Sequence, residues 1–210
     1  MKTKTFLLLI LTFPLWGLGV FSCSKDNPAP EDTLAKLPPE TQTGANTFGC
    51  VINGQVFYPR DGASSLFNPA GRGLILWGDP SVSMGIGNYG EFEVKNLQDG
   101  KPANTMIIHL QGLDQIKTGD YVWRDSNFQS SIDGLMQNYV HAKIFDSSVN
   151  GWRYYGSYEN SGKITITKYG NIIAGTFSGK LRLQNGTGVI EISNGRFDIN
   201  STTLSTTKFP

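Results

Sequence analysis

Gly175-Thr176-Phe177-Ser178-Gly179-Lys180-Leu181-Arg182-Leu183-Gln184-Asn185-Gly186-Thr187-Gly188-Val189-Ile190-Glu191-Ile192-Ser193-Asn194-Gly195-Arg196-Phe197-Asp198-Ile199 is the stretch that decides the fold class. Phe177, Leu181 and Leu183, with Ile173 just upstream, share the parity of Gly175 and Gly179. A period of two is the pattern of a strand with one buried face, and glycines at that parity suit bulges or bends in a long strand. Asn185-Gly186 is the residue pair of a tight hairpin, because both residues tolerate positive φ. Asn194-Gly195 reads as a second turn, separating Val189–Ser193 from Arg196–Ile199.

The same grammar runs upstream. Phe48–Ile52 and Gln55–Tyr58 flank Asn53-Gly54, and Pro59 ends the second run. Further runs lie at Gly73–Trp77, Val82–Ile86, Glu91–Lys95, Met106–Gln111, Tyr121–Trp123 and Lys163–Thr167. Tyr139–Phe145 and Trp152–Tyr158 form a pair across Asn150-Gly151. No long helical period interrupts them. The expectation is an all-β fold: an antiparallel β-sandwich or partly closed barrel of roughly nine to twelve strands. Residues 200–210, rich in Ser and Thr, read as a loose end or an edge strand.

The N-terminus has a different composition. Lys2 and Lys4 precede an apolar run from Phe6 to Val20, shorter than a membrane-spanning helix needs and interrupted by Pro14. Leu18-Gly19-Val20-Phe21-Ser22-Cys23 resembles the lipobox of bacterial lipoproteins, which implies a signal peptide over 1–22 and lipidation of Cys23. Two or more acyl chains, palmitate among them, would anchor the protein firmly. Residues 23–47 then read as the lipidated Cys and a flexible Pro/Thr-rich tether, and 48–210 as a single β-rich domain. Ser24-Lys25-Asp26-Asn27 partly resembles the export signal of Bacteroidota-type surface lipoproteins. Asp32-Thr33-Leu34 resembles the short O-glycosylation site of the same bacteria, with Thr33 as acceptor.

Charge narrows the function. The chain has 18 basic residues, two of them in the leader, leaving 16 against 17 acidic residues in the remainder. Without a basic cluster, nucleic acid is excluded as a partner. With Cys23 lipidated, Cys50 has no partner for a disulfide. It alternates with Phe48 and Ile52 and reads as a small core residue rather than a nucleophile.

Catalytic signatures are missing. There is no Gly-x-Ser-x-Gly elbow, no His-Glu-x-x-His and no phosphate loop, so no catalytic residue, metal or cofactor is assigned and the chain does not read as an enzyme. His109 and His141 lie in strands, on the faces opposite the apolar residues, and read as separate structural residues. Glu91 and Glu93 share a face that reads as solvated rather than as a glycosidase pair. The aromatic residues carry more information. Trp123, Trp152, Tyr154 and Tyr155 have flat apolar faces with a polar edge, suited to sugar rings or protein contacts. Alternation within Trp152-Arg153-Tyr154-Tyr155 exposes one of its two pairs.

Leu37-Pro38-Pro39-Glu40-Thr41-Gln42-Thr43-Gly44-Ala45-Asn46-Thr47-Phe48-Gly49-Cys50, continuing into Asn53-Gly54, resembles the opening of an uncharacterised family of Bacteroidota-type outer-membrane lipoproteins. Gly175–Gly179 with Asn194–Asp198 resembles that family's closing meander. The resemblance covers both ends of the domain and leaves the middle unmatched. It implies an anchored β-rich domain and brings no activity with it. Together these readings point to a lipid-anchored outer-membrane protein, at the cell surface or on the periplasmic face. On this reading it binds a glycan or an envelope protein; the alternatives are a lipocalin-like carrier and, further off, a small hydrolase.

Overall fold

The computed structural model describes residues 34–64, 70–78, 89–98 and 100–210. The leader, Cys23, Thr33 and the strand expected at Val82–Ile86 lie outside them. The described residues form eleven strands: β1 (Thr47–Ile52), β2 (Gln55–Phe57), β3 (Leu74–Trp77), β4 (Tyr89–Asn96), β5 (Asn104–Gln111), β6 (Gly119–Val122), β7 (Tyr139–Asp146), β8 (Gly151–Gly156), β9 (Gly162–Lys168), β10 (Ile172–Leu183) and β11 (Val189–Asn200). The short helix α1 (Leu113–Ile116) joins β5 to β6. All strand pairs are antiparallel, as expected for chains that turn at Asn-Gly pairs, and the order is β2-β1-β11-β10-β8-β7-β5-β4-β3.

β10 is where this sheet forks. Its residues Ala174–Gly179 pair with β9, which pairs in turn with β6, whereas Arg182 and Leu183 pair with β8. The sheet curls into a half-barrel, the partly closed alternative of the two expected architectures. Its concave face is filled. Phe92, Val94, Met106, Ile108 and Val140 from one side meet Phe48, Cys50, Phe177, Phe197 and Ile199 from the other in one buried cluster. Phe92 and Phe197 bring their ring centroids within 5.0 Å across it. Cys50 is fully buried there, and burial pushes its thiol far above the ordinary range, as its reading as a core residue requires.

Trp123 closes the fork. An added Cβ on Gly179 would lie 2.4 Å from its indole, and one on Gly162 would lie 2.5 Å from it. Only the missing side chains at these two positions let the ring come this close to the backbone.

Three expectations need correcting. Asn194-Gly195 does not reverse the chain. Gly49 pairs with Arg196 and Val51 with Ser193, so two residues of β11 oppose Cys50 alone, which is a bulge. Asn194 takes φ 52° and the strand continues, carrying Phe197 and Ile199 into the core. Nor is the tether free as far as Thr47. The Asp198 carboxylate accepts hydrogen bonds from the Thr41 and Thr43 hydroxyls and from the backbone N–H of Thr43, Gly44 and Ala45. Burial alone would raise this carboxyl's pKa, but those donors outweigh it and hold the group below the usual value. Leu37 is buried, with Pro38 packed over Gly49. The two segments that carry the family resemblance therefore touch each other. Finally, the C-terminal residues are neither loose nor a strand. They form a 3-10 turn at Leu204–Thr206, with Leu204 buried and Asn46 donating to the Thr203 and Thr207 hydroxyls.

Candidate functional site on the outer face of the sheet

Period-two alternation sends Val140, Ala142 and Ile144 of β7 into the half-barrel and Tyr139, His141, Lys143 and Phe145 outward. Across the hairpin, Lys143 pairs with Tyr154 and Phe145 with Trp152; across β5, Tyr139 pairs with His109 and His109 with Glu91. The outer face is thus rich in rings, and it divides into a covered half and an open half.

Residues 124–138 cover the first half, a loop whose base is closed by Arg124 N–H donating to the Asn138 carbonyl. Beneath it four rings stack in sequence: Tyr89 on His109 (4.7 Å), His109 on Tyr139 (4.6 Å) and Tyr139 on His141 (6.0 Å). Glu91 Oε2 lies 2.9 Å from His109 Nδ1 and accepts from Ser131 N–H at 2.9 Å. Ser126 Oγ is 3.4 Å from His141 Nδ1. Glu91 is 1% exposed and His109 2%, which corrects the reading of Glu91 as a solvated charge; His109 and His141 keep different partners, with the Tyr139 ring between them. The alternation was read correctly; what it could not reveal is the loop laid over that face. Burial pushes His141 down to about 4, with His109 adding to the effect and Glu91 opposing it, while burial and Glu91 push the Tyr139 hydroxyl up.

A carboxylate holding an imidazole is the arrangement of a general base and its orienting group. Here it is shut away from substrate. His109 Nε2 and the Tyr139 hydroxyl are buried without hydrogen-bond partners among the described residues, and the His109 ring lies between those of Tyr89 and Tyr139. No three His, Cys, Asp or Glu side chains among the described residues are placed to hold a metal ion. The network fixes the loop to the sheet.

The open half carries the aromatic residues named from the sequence, and the structure separates them. Trp152 and Tyr154 point outward, Tyr154 being 41% exposed. Lys143 Nζ sits between them, 4.3 Å from the Trp152 ring centroid and 5.9 Å from that of Tyr154. Phe145 meets Trp152 edge-on at 5.4 Å and fixes its tilt. Among the described residues no carboxylate pairs with Lys143. Tyr155 turns inward against the core, and Trp123 is fully buried between Gly162 and Gly179, so it cannot meet a ligand. Lys143 was not singled out from the sequence: a two-residue turn at Asn150-Gly151 would set Ser147 opposite Tyr154, whereas the turn spans residues 147–150, so Asp146 pairs with Gly151 and Lys143 with Tyr154. Comparison with family models, curated proteins and solved structures finds no match to this chain.

Proposed function

We propose that this chain is a lipid-anchored outer-membrane protein whose half-barrel serves as a surface binding module for a glycan, with Trp152, Lys143 and Tyr154 as the contact. The observation that carries the reading is the outward pair of rings bracketing an ammonium without an acidic partner among the described residues. Sugar rings have apolar C–H faces and polar edges, and Trp and Tyr match both. The ammonium supplies hydrogen-bond donors between the rings, and cation–π contact holds it there. An envelope protein could use the same three side chains as a hot spot. The lipocalin-like reading loses ground, because the concave face is packed with Phe48, Phe92, Phe177 and Phe197 where a carrier keeps a cavity. The hydrolase reading loses ground because the carboxylate–histidine pair found among the described residues, Glu91 and His109, is buried under a loop.

Affinity electrophoresis through gels containing plant, microbial or host polysaccharides tests this directly. Residues 23–210 with Cys23→Ala should be retarded in at least one gel. The double variant Trp152→Ala/Tyr154→Ala should bind at least about tenfold more weakly, corresponding to about 1.4 kcal/mol. Equal retardation of both proteins would contradict the assignment.

A further inference from the structure

β8 has a second face. Arg153 and Tyr155 alternate with Trp152 and Tyr154 and turn into the open end of the half-barrel, where a cavity of about 360 Å³ lies between the β7–β8 hairpin and the β1–β2 hairpin. Ile52, Ile144, Ile190 and the Tyr155 ring supply its apolar lining. Arg153, Asp146, Asn104 and Gln55 supply its polar groups.

The hydrogen-bond inventory decides what could sit there. Arg153 Nε donates to Asp146 Oδ2 at 3.2 Å, and among the described residues its terminal nitrogens have no partner. Asp146 Oδ1 accepts from the Ser148 N–H and hydroxyl, leaving Oδ2 with a spare lone pair beside the guanidinium. Asn104 Oδ1 accepts from Phe145 N–H at 2.8 Å, so its amide NH₂ remains as a donor. Polar groups and isoleucine side chains therefore lie side by side around the lining, Ile144 paired with Arg153 across β7–β8 and Ile52 with Gln55 across β1–β2. The charges of Arg153 and Asp146 cancel. A free carboxylate or phosphate gains little from such a site, and a fatty chain would strand its polar groups.

We infer that this cavity takes one neutral pyranose residue, its hydroxyls spanning the Arg153–Asp146 pair and Asn104, its C–H face lying on Tyr155 and the isoleucines. The choice of a sugar rests on the glycan reading above. The cavity and its charge balance stand apart from it. A cavity of this size is at the small end of ligand sites and suits a single ring or a chain end. A ligand of about a dozen non-hydrogen atoms would bind with a Kd on the order of 1 mM.

Isoleucine-methyl NMR on residues 23–210 with Cys23→Ala tests the inference without any change inside the site. The probes are the methyl glycosides of glucose, galactose, mannose and N-acetylglucosamine, with galacturonate as the charged comparison. At least one neutral glycoside should shift the Ile52, Ile144 and Ile190 methyls in a saturable way while leaving Ile166 unmoved, and galacturonate should bind at least about tenfold more weakly. Arg153→Met should abolish the shifts, and Gln55→Ala, at an exposed position, should weaken them in a protein with unchanged folding. Retardation by polysaccharide gels together with unmoved cavity methyls would overturn the cavity site and leave the glycan reading standing. No response to any saccharide in either experiment would overturn both.

Discussion

His141 shows how much one position on a strand can be set by what covers it. Its ring packs between Tyr139 and Phe128, with Glu91, His109 and Ser126 as the polar groups around it, and burial lowers its pKa from 6.5 to about 4. The unfolded chain therefore binds a proton through a range where the folded chain does not. Stability is fully present above about pH 6.5 and is lost as pH falls toward 4, by up to about 3 kcal/mol for a shift of this size. Urea titrations at pH 7.0, 5.5 and 4.5 should show this decline, and His141→Gln should flatten it. An unchanged slope in the variant would show that another group titrates there. The Asp198 clamp contributes differently: its carboxyl is held low, so its support is present above the ordinary carboxylate pKa and fails only in stronger acid. At this scale the sequence was legible where burial follows from alternation, as for Cys50. It was misleading for Glu91 and Trp123, whose partners come from a distant loop and from glycines on other strands.

β10 is the element on which the architecture turns, because its two halves pair with different neighbours. The break falls at Gly179, where Trp123 lies against the backbone and Gly162 Cα comes within 2.6 Å of where a Cβ would be. Neither neighbour can yield cheaply, since one is a fully buried indole and the other is main chain. Gly179→Ala should therefore destabilise the domain by about 1–3 kcal/mol, the cost of overpacking a filled core, and should alter the near-UV signal of Trp123. A variant as stable as wild type, with an unchanged Trp123 signal, would mean that the fork does not depend on this contact. Strand existence and facing were readable along nearly the whole described chain, since alternation and Asn-Gly pairs are local signals. Whether Asn194-Gly195 reverses the chain or bulges was not. Both outcomes need a positive φ at Asn194, and the choice lies with Phe197 packing beside Phe48 and Phe177 and meeting Phe92 across the core.

For the molecule as a whole, the N-terminal segment matters most. With Asp198 clamping Thr41–Ala45 and Leu37 packed on the sheet, only Ser24–Lys36 separates the lipid proposed at Cys23 from the folded domain. Those 13 residues span at most about 45 Å even when fully extended, so a lipid at Cys23 would hold the domain close to the membrane. The short range of the tether gives the side of the membrane decisive importance for ligand access. Cys23→Ala should abolish palmitate incorporation and release the protein from the membrane fraction, and persistent acyl labelling would contradict the lipid anchor. Protease shaving of intact cells, with a periplasmic protein as a control for an unbroken outer membrane, is the most direct test of a surface binding module. The wild-type domain should be clipped from intact cells while the periplasmic control survives. A domain that survives on intact cells and is lost only on lysis would place Trp152 and Tyr154 in the periplasm and contradict surface display.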